Sequence, residues 1–218
     1  TSRINLKIRS DVESEINGMG PVIRKEDLEL LYEQLDTLKD DDVLVLAGSI
    51  PSGMPQSIYR DIMSRLQSKR IKIAVDATKD LLMNVLAYHP FVIKPNNHEL
   101  SEIFDVTIDS KEKAVVYAKE LQKKGAQNVI VSMAGEGAVF VGSDGSVFTS
   151  EAPHGVVKNS VGAGDSMVAG FLAGYLAKGD YAEAFKMGLC TGSASAFSDQ
   201  LATREEVEQV RRSHIFDF

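Results

Sequence analysis

Val43-Leu44-Val45-Leu46-Ala47, an apolar run set off in front by the acidic turn Asp40-Asp41-Asp42, decides the fold. A strand with no polar alternation is covered on both faces, which is how strands sit in a parallel sheet. Working outward, the downstream sequence gives helix 55–68, strand 71–75, short helix 79–87, strand 91–93, helix 97–104, helix 110–124 and strand 128–132. Strands separated by helices join through right-handed crossovers into a mainly parallel sheet. Ser143-Asp144-Gly145 then supplies a turn between two apolar runs, so 137–150 reads as a hairpin. Helical segments follow at 163–177, 180–197 and 203–212, and upstream Leu28, Leu31 and Leu35 recur at helical spacing within 24–38. The predicted fold is an α/β sandwich carrying a small β extension at its N-terminal end.

That extension is a polar two-stranded hairpin, residues 3–9 and 12–17 joined around Ser10-Asp11, with Gly18-Met19-Gly20-Pro21 breaking the chain behind it. It divides the chain into a lid remnant at 1–22 and a core at 23–218. Two strands alone are marginal, so they require a partner, either a further segment or another subunit. The sequence opens on Thr1 and is already alternating from Arg3 to Ile8, which predicts that an upstream segment is missing.

Composition narrows the function. The 218 residues are 44% hydrophobic, enough for one sizeable core, and carry a net charge of −7. A nucleic-acid partner is not expected, because phosphate neutralisation needs a basic face. Cys190 is the single cysteine, so no internal disulfide can form and a cytoplasmic, reducing location is expected. No apolar run approaches the ~20 residues needed to span a bilayer, so no membrane partner is expected either.

The most informative stretch is Asn159-Ser160-Val161-Gly162-Ala163-Gly164-Asp165-Ser166-Met167-Val168-Ala169-Gly170-Phe171-Leu172. Gly162 and Gly164 permit close backbone approach, and a helix starts near Ala163. Its first N–H groups favour a phosphate, above all the charge that builds during phosphoryl transfer. Asp165, in that first turn, could accept a hydroxyl proton as a general base. The plainer reading, equally open for a bare Gly-x-Gly-Asp, is a tight turn with a carboxylate complementing the helix dipole. A dinucleotide fingerprint is excluded by Met167 where its last glycine would stand, and the sequence contains no GxxxxGK[ST] phosphate loop.

The whole fourteen-residue stretch resembles the C-terminal signature of PfkB-type, ribokinase-like carbohydrate kinases. The resemblance implies a three-layer α/β/α sandwich with Asp165 as catalytic base and Gly162, Ala163 and Gly164 as anion hole. Other segments extend it. Lys94-Pro95-Asn96-Asn97-His98-Glu99 follows a strand directly, at the sheet edge where α/β ligand sites lie. There Lys94 can neutralise phosphate charge, and Asn96 with Glu99 matches the family's Asn-x-x-Glu motif, implying Mg2+ held through water. Ser132-Met133-Ala134-Gly135-Glu136-Gly137 resembles the family's nucleotide loop, with Ala134 where many relatives have glycine and a slightly different backbone path expected. Leu189 and Ser193 are implied in the adenine pocket.

Gly48-Ser49-Ile50-Pro51 resembles the substrate-side loop, and Arg3 the lid-strand arginine that grips the sugar phosphate. Asp76-Ala77-Thr78-Lys79 departs from the family's Asp-Thr/Ser-Ser-Gly pattern and receives no role beyond ending a strand. His98 stands nearest a motif but has no companions at zinc-ligand spacing.

Together these imply an ATP- and Mg2+-dependent kinase acting on a sugar phosphate, with a possible homodimer through the lid strands. The wording of Glu15-Ile16-Asn17, Ala196-Phe197-Ser198 and Leu201-Ala202-Thr203-Arg204 favours fructose 1-phosphate as acceptor over tagatose 6-phosphate or fructose 6-phosphate. A nucleotide-binding module without chemistry is the alternative from another class. Lacking the family's N-terminal portion, the chain alone is expected to be weak or inactive.

Overall fold

The computed structural model describes residues 3–8, 14–18, 20–51 and 53–218. Two short strands come first, β1 (Asn5–Ile8) and β2 (Ser14–Asn17), paired antiparallel with Leu6 opposite Ile16. The turn expected around Ser10-Asp11 lies outside the described residues. Ile4, Leu6, Ile8 and Ile16 share one face of this ribbon and are all exposed.

The core follows in the predicted order: α1 (Lys25–Asp36), β3 (Val43–Ala47), α2 (Ile58–Leu66), β4 (Lys72–Asp76), α3 (Lys79–Met83), β5 (Val92–Ile93), α4 (Asn97–Phe104), α5 (Lys111–Lys123), β6 (Asn128–Ser132), β7 (Ala138–Val141), β8 (Val147–Ser150), α6 (Ala163–Lys178), α7 (Tyr181–Phe197) and α8 (Arg204–Ser213). Strands β3 to β8 form one six-stranded sheet in sequence order, β3 to β6 parallel and β7 and β8 antiparallel. The helix expected over 79–87 is α3 followed by a 3-10 turn at Leu86–Tyr88, which His89 ends in a left-handed conformation. Helix α2 starts three residues later than the predicted 55, because Gly53-Met54-Pro55 belongs to a turn.

Alternate strand residues feed two cores, as a period of two requires. Val129, Val131, Val139 and Val141 pack with Ile62 and Leu66 of α2, Leu100 of α4 and Leu121 of α5. Ile130, Ala138 and Phe140 face the other way, onto Phe171 and Leu172 of α6 and Phe185 and Leu189 of α7. The result is the expected three-layer sandwich, with one face covered by α1 to α5 and the other by α6 and α7. The latter two pack closely because Gly170, Gly174, Gly188 and Gly192 carry no Cβ to separate them. Among the described residues, no helix is long and apolar enough to cross a membrane.

Candidate active site

Three parallel strands end side by side; two deliver residues to one cavity and the third places Lys94 against Asp76 beside it. Gly48 follows β3, Asp76 closes β4 and Lys94 follows β5. The chain then carries Asn96 into a parallel bridge with Ser132, at the end of β6. Val45, Ala47, Gly48, Asp76, Asp165, Val168 and Ala169 line a cavity of about 390 Å³. It lies at the carboxyl ends of the strands, as ligand sites in open α/β sheets do.

Helix α6 opens into this region with a bare start. Gly162 precedes it at φ 78, a left-handed conformation, and no side chain caps the helix. The Ala163 N–H donates to the Ser160 carbonyl at 3.3 Å, while those of Gly164 and Asp165 have no partner among the described residues. A Cβ on Gly164 would stand 3.1 Å from Lys94 Nζ, so the glycine is what lets the ammonium rest against the helix start. Asp165 faces the same cavity. Behind it, the Ser195 hydroxyl donates to Ser166 Oγ at 2.9 Å and accepts from the Ala202 N–H at 3.1 Å, tying the first turns of α6 to α7 and to the loop after it.

Asp76, expected only to end a strand, does more than that. Asp76 forms an ion pair with Lys94 at 3.4 Å, their side chains being 18% and 8% exposed. Burial pushes the Asp76 carboxyl above its ordinary range; Lys94 pulls it back, and the charges of Asp165 and Glu99 push it up again. Asp76 thus feels one ammonium and the charges of two other carboxylates. The Tyr59 hydroxyl donates to the carbonyls of Ala47 at 2.7 Å and Gly48 at 3.1 Å, bracing the end of β3, and its own pKa is raised by burial and by Asp76.

Asn96 and Glu99 are engaged in holding α4. The Asn96 side chain accepts from the Glu99 N–H at 2.8 Å, and the Glu99 carboxylate accepts from the Asn96 N–H at 2.8 Å, a complete capping box. One Glu99 oxygen stays outside that box. Among the described residues, no three Asp, Glu, His or Cys side chains are close enough to grip a bare ion. The oxygen atoms of Asn96 and Glu99, with one Glu99 oxygen left outside the capping box, suit a magnesium ion that keeps its waters, so the residues fit outer-sphere binding.

In the loop after β6, Ala134 is held at φ 47 and Gly137 at φ 89. The alanine thus takes a left-handed conformation that glycine adopts more readily. A Cβ at Gly137 would run into the Ser150 carbonyl. Gly135 and Glu136 are exposed and Ser132 half-buried, whereas Met133 is 3% exposed and its side chain belongs to the core. Leu189 is 1% exposed and packs among Phe171 and Phe185, while Ser193, one turn on, is half-exposed.

Arg3 precedes β1 instead of lying within it, and its guanidinium donates to Ser49 Oγ, joining the lid to the Gly48-Ser49 loop. Cys190 is buried, and burial pushes its thiol up to about 12, which removes it as a nucleophile.

Sheet topology and site together describe an α/β sandwich kinase. Residues 3–206 match the family described as pfkB family carbohydrate kinase, and the chain belongs to that family. It is similar to a 1-phosphofructokinase of Bacillus subtilis, 44% identical over 96% of this chain and 69% of that protein. It is also similar to a D-tagatose-1-phosphate kinase of Bacillus licheniformis, 30% identical over 95% of this chain and 68% of that protein. Among solved structures, phosphofructokinase-2 from Escherichia coli in complex with substrates and products superposes with a TM-score of 0.87 at 25% identity, covering 95% of this chain and 69% of that one. The chain is thus a sugar-phosphate kinase of the PfkB family, for which ATP is the phosphoryl donor.

Proposed function

We propose that this site transfers the γ-phosphoryl group of ATP to the 6-hydroxyl of fructose 1-phosphate, giving fructose 1,6-bisphosphate and ADP. The observation that carries the reading is the placement of Asp165 beside the open N–H groups of α6 and the Lys94 ammonium. Asp165 takes the hydroxyl proton as the sugar oxygen bonds to phosphorus. The bond from the γ-phosphorus to the bridging oxygen breaks, and its electrons leave with ADP. The N–H groups of the Gly162-Ala163-Gly164 turn and Asp165, with Lys94, meet the charge that develops on the phosphoryl oxygens.

Ser132, Ala134, Gly135, Glu136 and Gly137, with the backbone of Met133, form the nucleotide loop in this reading, and Ser193 borders the adenine. Asn96 and Glu99 would hold a hydrated magnesium, whose charge offsets that of the phosphates. Arg3 meets the 1-phosphate, a role supported by its contact with Ser49. The exposed Ile4, Leu6, Ile8 and Ile16 suit a lid-to-lid homodimer, which sedimentation would detect. A free, buried cysteine suits a cytoplasmic location.

The similarity to a tagatose-1-phosphate kinase keeps a second ketohexose 1-phosphate in view as acceptor. The test is ADP release with magnesium across fructose 1-phosphate, tagatose 1-phosphate, fructose 6-phosphate and tagatose 6-phosphate. It should be run on this chain and on one extended N-terminally to the length of its relatives. Fructose 1-phosphate should dominate in the extended chain, the 218-residue chain should turn over weakly or not at all, and Asp165→Asn should lose roughly 10² or more in kcat. ATP binding without turnover of any sugar phosphate would reduce the site to a nucleotide-binding module.

A further inference from the structure

We infer that Asp76 is a positioning residue for phosphoryl transfer: it anchors the Lys94 ammonium against the bare start of α6, where the transferred group is to be received. The inference rests on the kinase reading above and adds a residue to it. Three observations converge. The ion pair is 3.4 Å long, and both partners are largely withdrawn from water. The ammonium has the glycine surface at 164 on its other side, with a gap that an alanine Cβ would reduce to 3.1 Å. Asp76 and Asp165 line the same cavity.

A lysine has a flexible four-carbon stem and a spherical charge, so it holds no position by itself. Asp76 supplies the fixed point. It ends a strand whose register is set by pairing with β3 on one side and β5 on the other, and Lys94 follows β5 directly. An ammonium has three donors. One directed at Asp76 leaves two for phosphoryl oxygens, next to the unpartnered Gly164 and Asp165 N–H groups. The competing role, simple neutralisation of a buried lysine, would be met by any carboxylate of the right charge.

The test uses the extended enzyme with its best acceptor, in a set of Asp76→Asn, Asp76→Glu, Lys94→Gln and the double variant Asp76→Asn/Lys94→Gln. Asp76→Asn should lower kcat by about 10–100-fold with KM for ATP changed by less than about three-fold, because the ammonium acts where charge develops. Asp76→Glu should restore the melting temperature but not kcat, since the longer side chain moves the ammonium. In the Lys94→Gln background, Asp76→Asn should cost less than a further three-fold or so, the signature of two residues acting as one. The double variant also removes the unpaired buried charge, so it reports on catalysis even where Asp76→Asn alone folds poorly.

Full activity in Asp76→Glu, or losses that multiply in the double variant, would overturn the positioning role while leaving the kinase reading intact. An unsubstituted enzyme that turns over no sugar phosphate would overturn both.

Discussion

Two helices begin at the same edge of the sheet, and they begin in opposite ways. Helix α4 is closed: the Asn96 side chain and the Glu99 carboxylate satisfy each other's backbone N–H groups. Helix α6 is open: a left-handed glycine leads into it, no side chain caps it, and two of its first N–H groups have no partner among the described residues, next to a cavity lined by Asp76 and Asp165. Capping is worth about 1 kcal/mol, and α6 forgoes it. No described buried side-chain polar atom lacks a partner, so the open start is not a sign of general looseness. Helices α2 and α3 also start without a side-chain cap, so what sets α6 apart is the carboxylate-lined cavity beside its open N–H groups, where a ligand can complete the structure.

The contrast can be broken most severely at Gly162. An alanine there must hold φ near 78 with its Cβ 2.8 Å from Leu201. Strain and contact together should cost about 2 kcal/mol, lowering the melting temperature by about 4–8 °C in calorimetry and taking activity with it.

Gly164→Ala is sharper, because its Cβ meets the mobile end of Lys94 and no backbone. We expect kcat to fall about ten-fold with little change in melting temperature. An unchanged kcat would mean that Lys94 does not rest on α6 during turnover.

At the closed start, Asn96→Ala should cost about 1 kcal/mol of stability in denaturant titration. Glu99→Gln keeps a cap acceptor and removes the charge, so a raised magnesium requirement in this variant alone would separate metal binding from capping. The smallest effect is a gain: Ala134→Gly should stabilise the protein by about 0.5–1 kcal/mol, since the alanine already holds φ 47.

The sheet was legible because β3 to β6 alternate with helices that keep their own period, but β3 is its edge strand and leaves Val45 and Ala47 exposed instead of being covered on both faces as expected. Lys94, Asp165 and the glycine turn were legible because each sits in a continuous segment with its neighbours. Asp76 was not. Its following residues depart from the expected pattern, and its partner is eighteen positions away, brought near only by the pairing of β4 with β5. The available signal was positional: a carboxylate ending a parallel strand stands at the same sheet edge as a lysine following the next one. The depth of Leu189 and Met133 was not legible, since spacing names a helix face or a loop and cannot say how deep each residue on it lies.

The covering of the sheet has a consequence for how the molecule is made. One face receives its helices between the strands, but the other waits for α6 and α7, both of which follow the last strand in the chain. During synthesis, Val92, Ile130, Ala138 and Phe140 therefore emerge well before the residues that will bury them. The nascent sheet is exposed to wrong associations until the ribosome has passed Phe197. Helix α6 also carries Asp165 and the open N–H groups of the proposed phosphoryl site, so the step that protects the chain from aggregation is also the one that assembles that site.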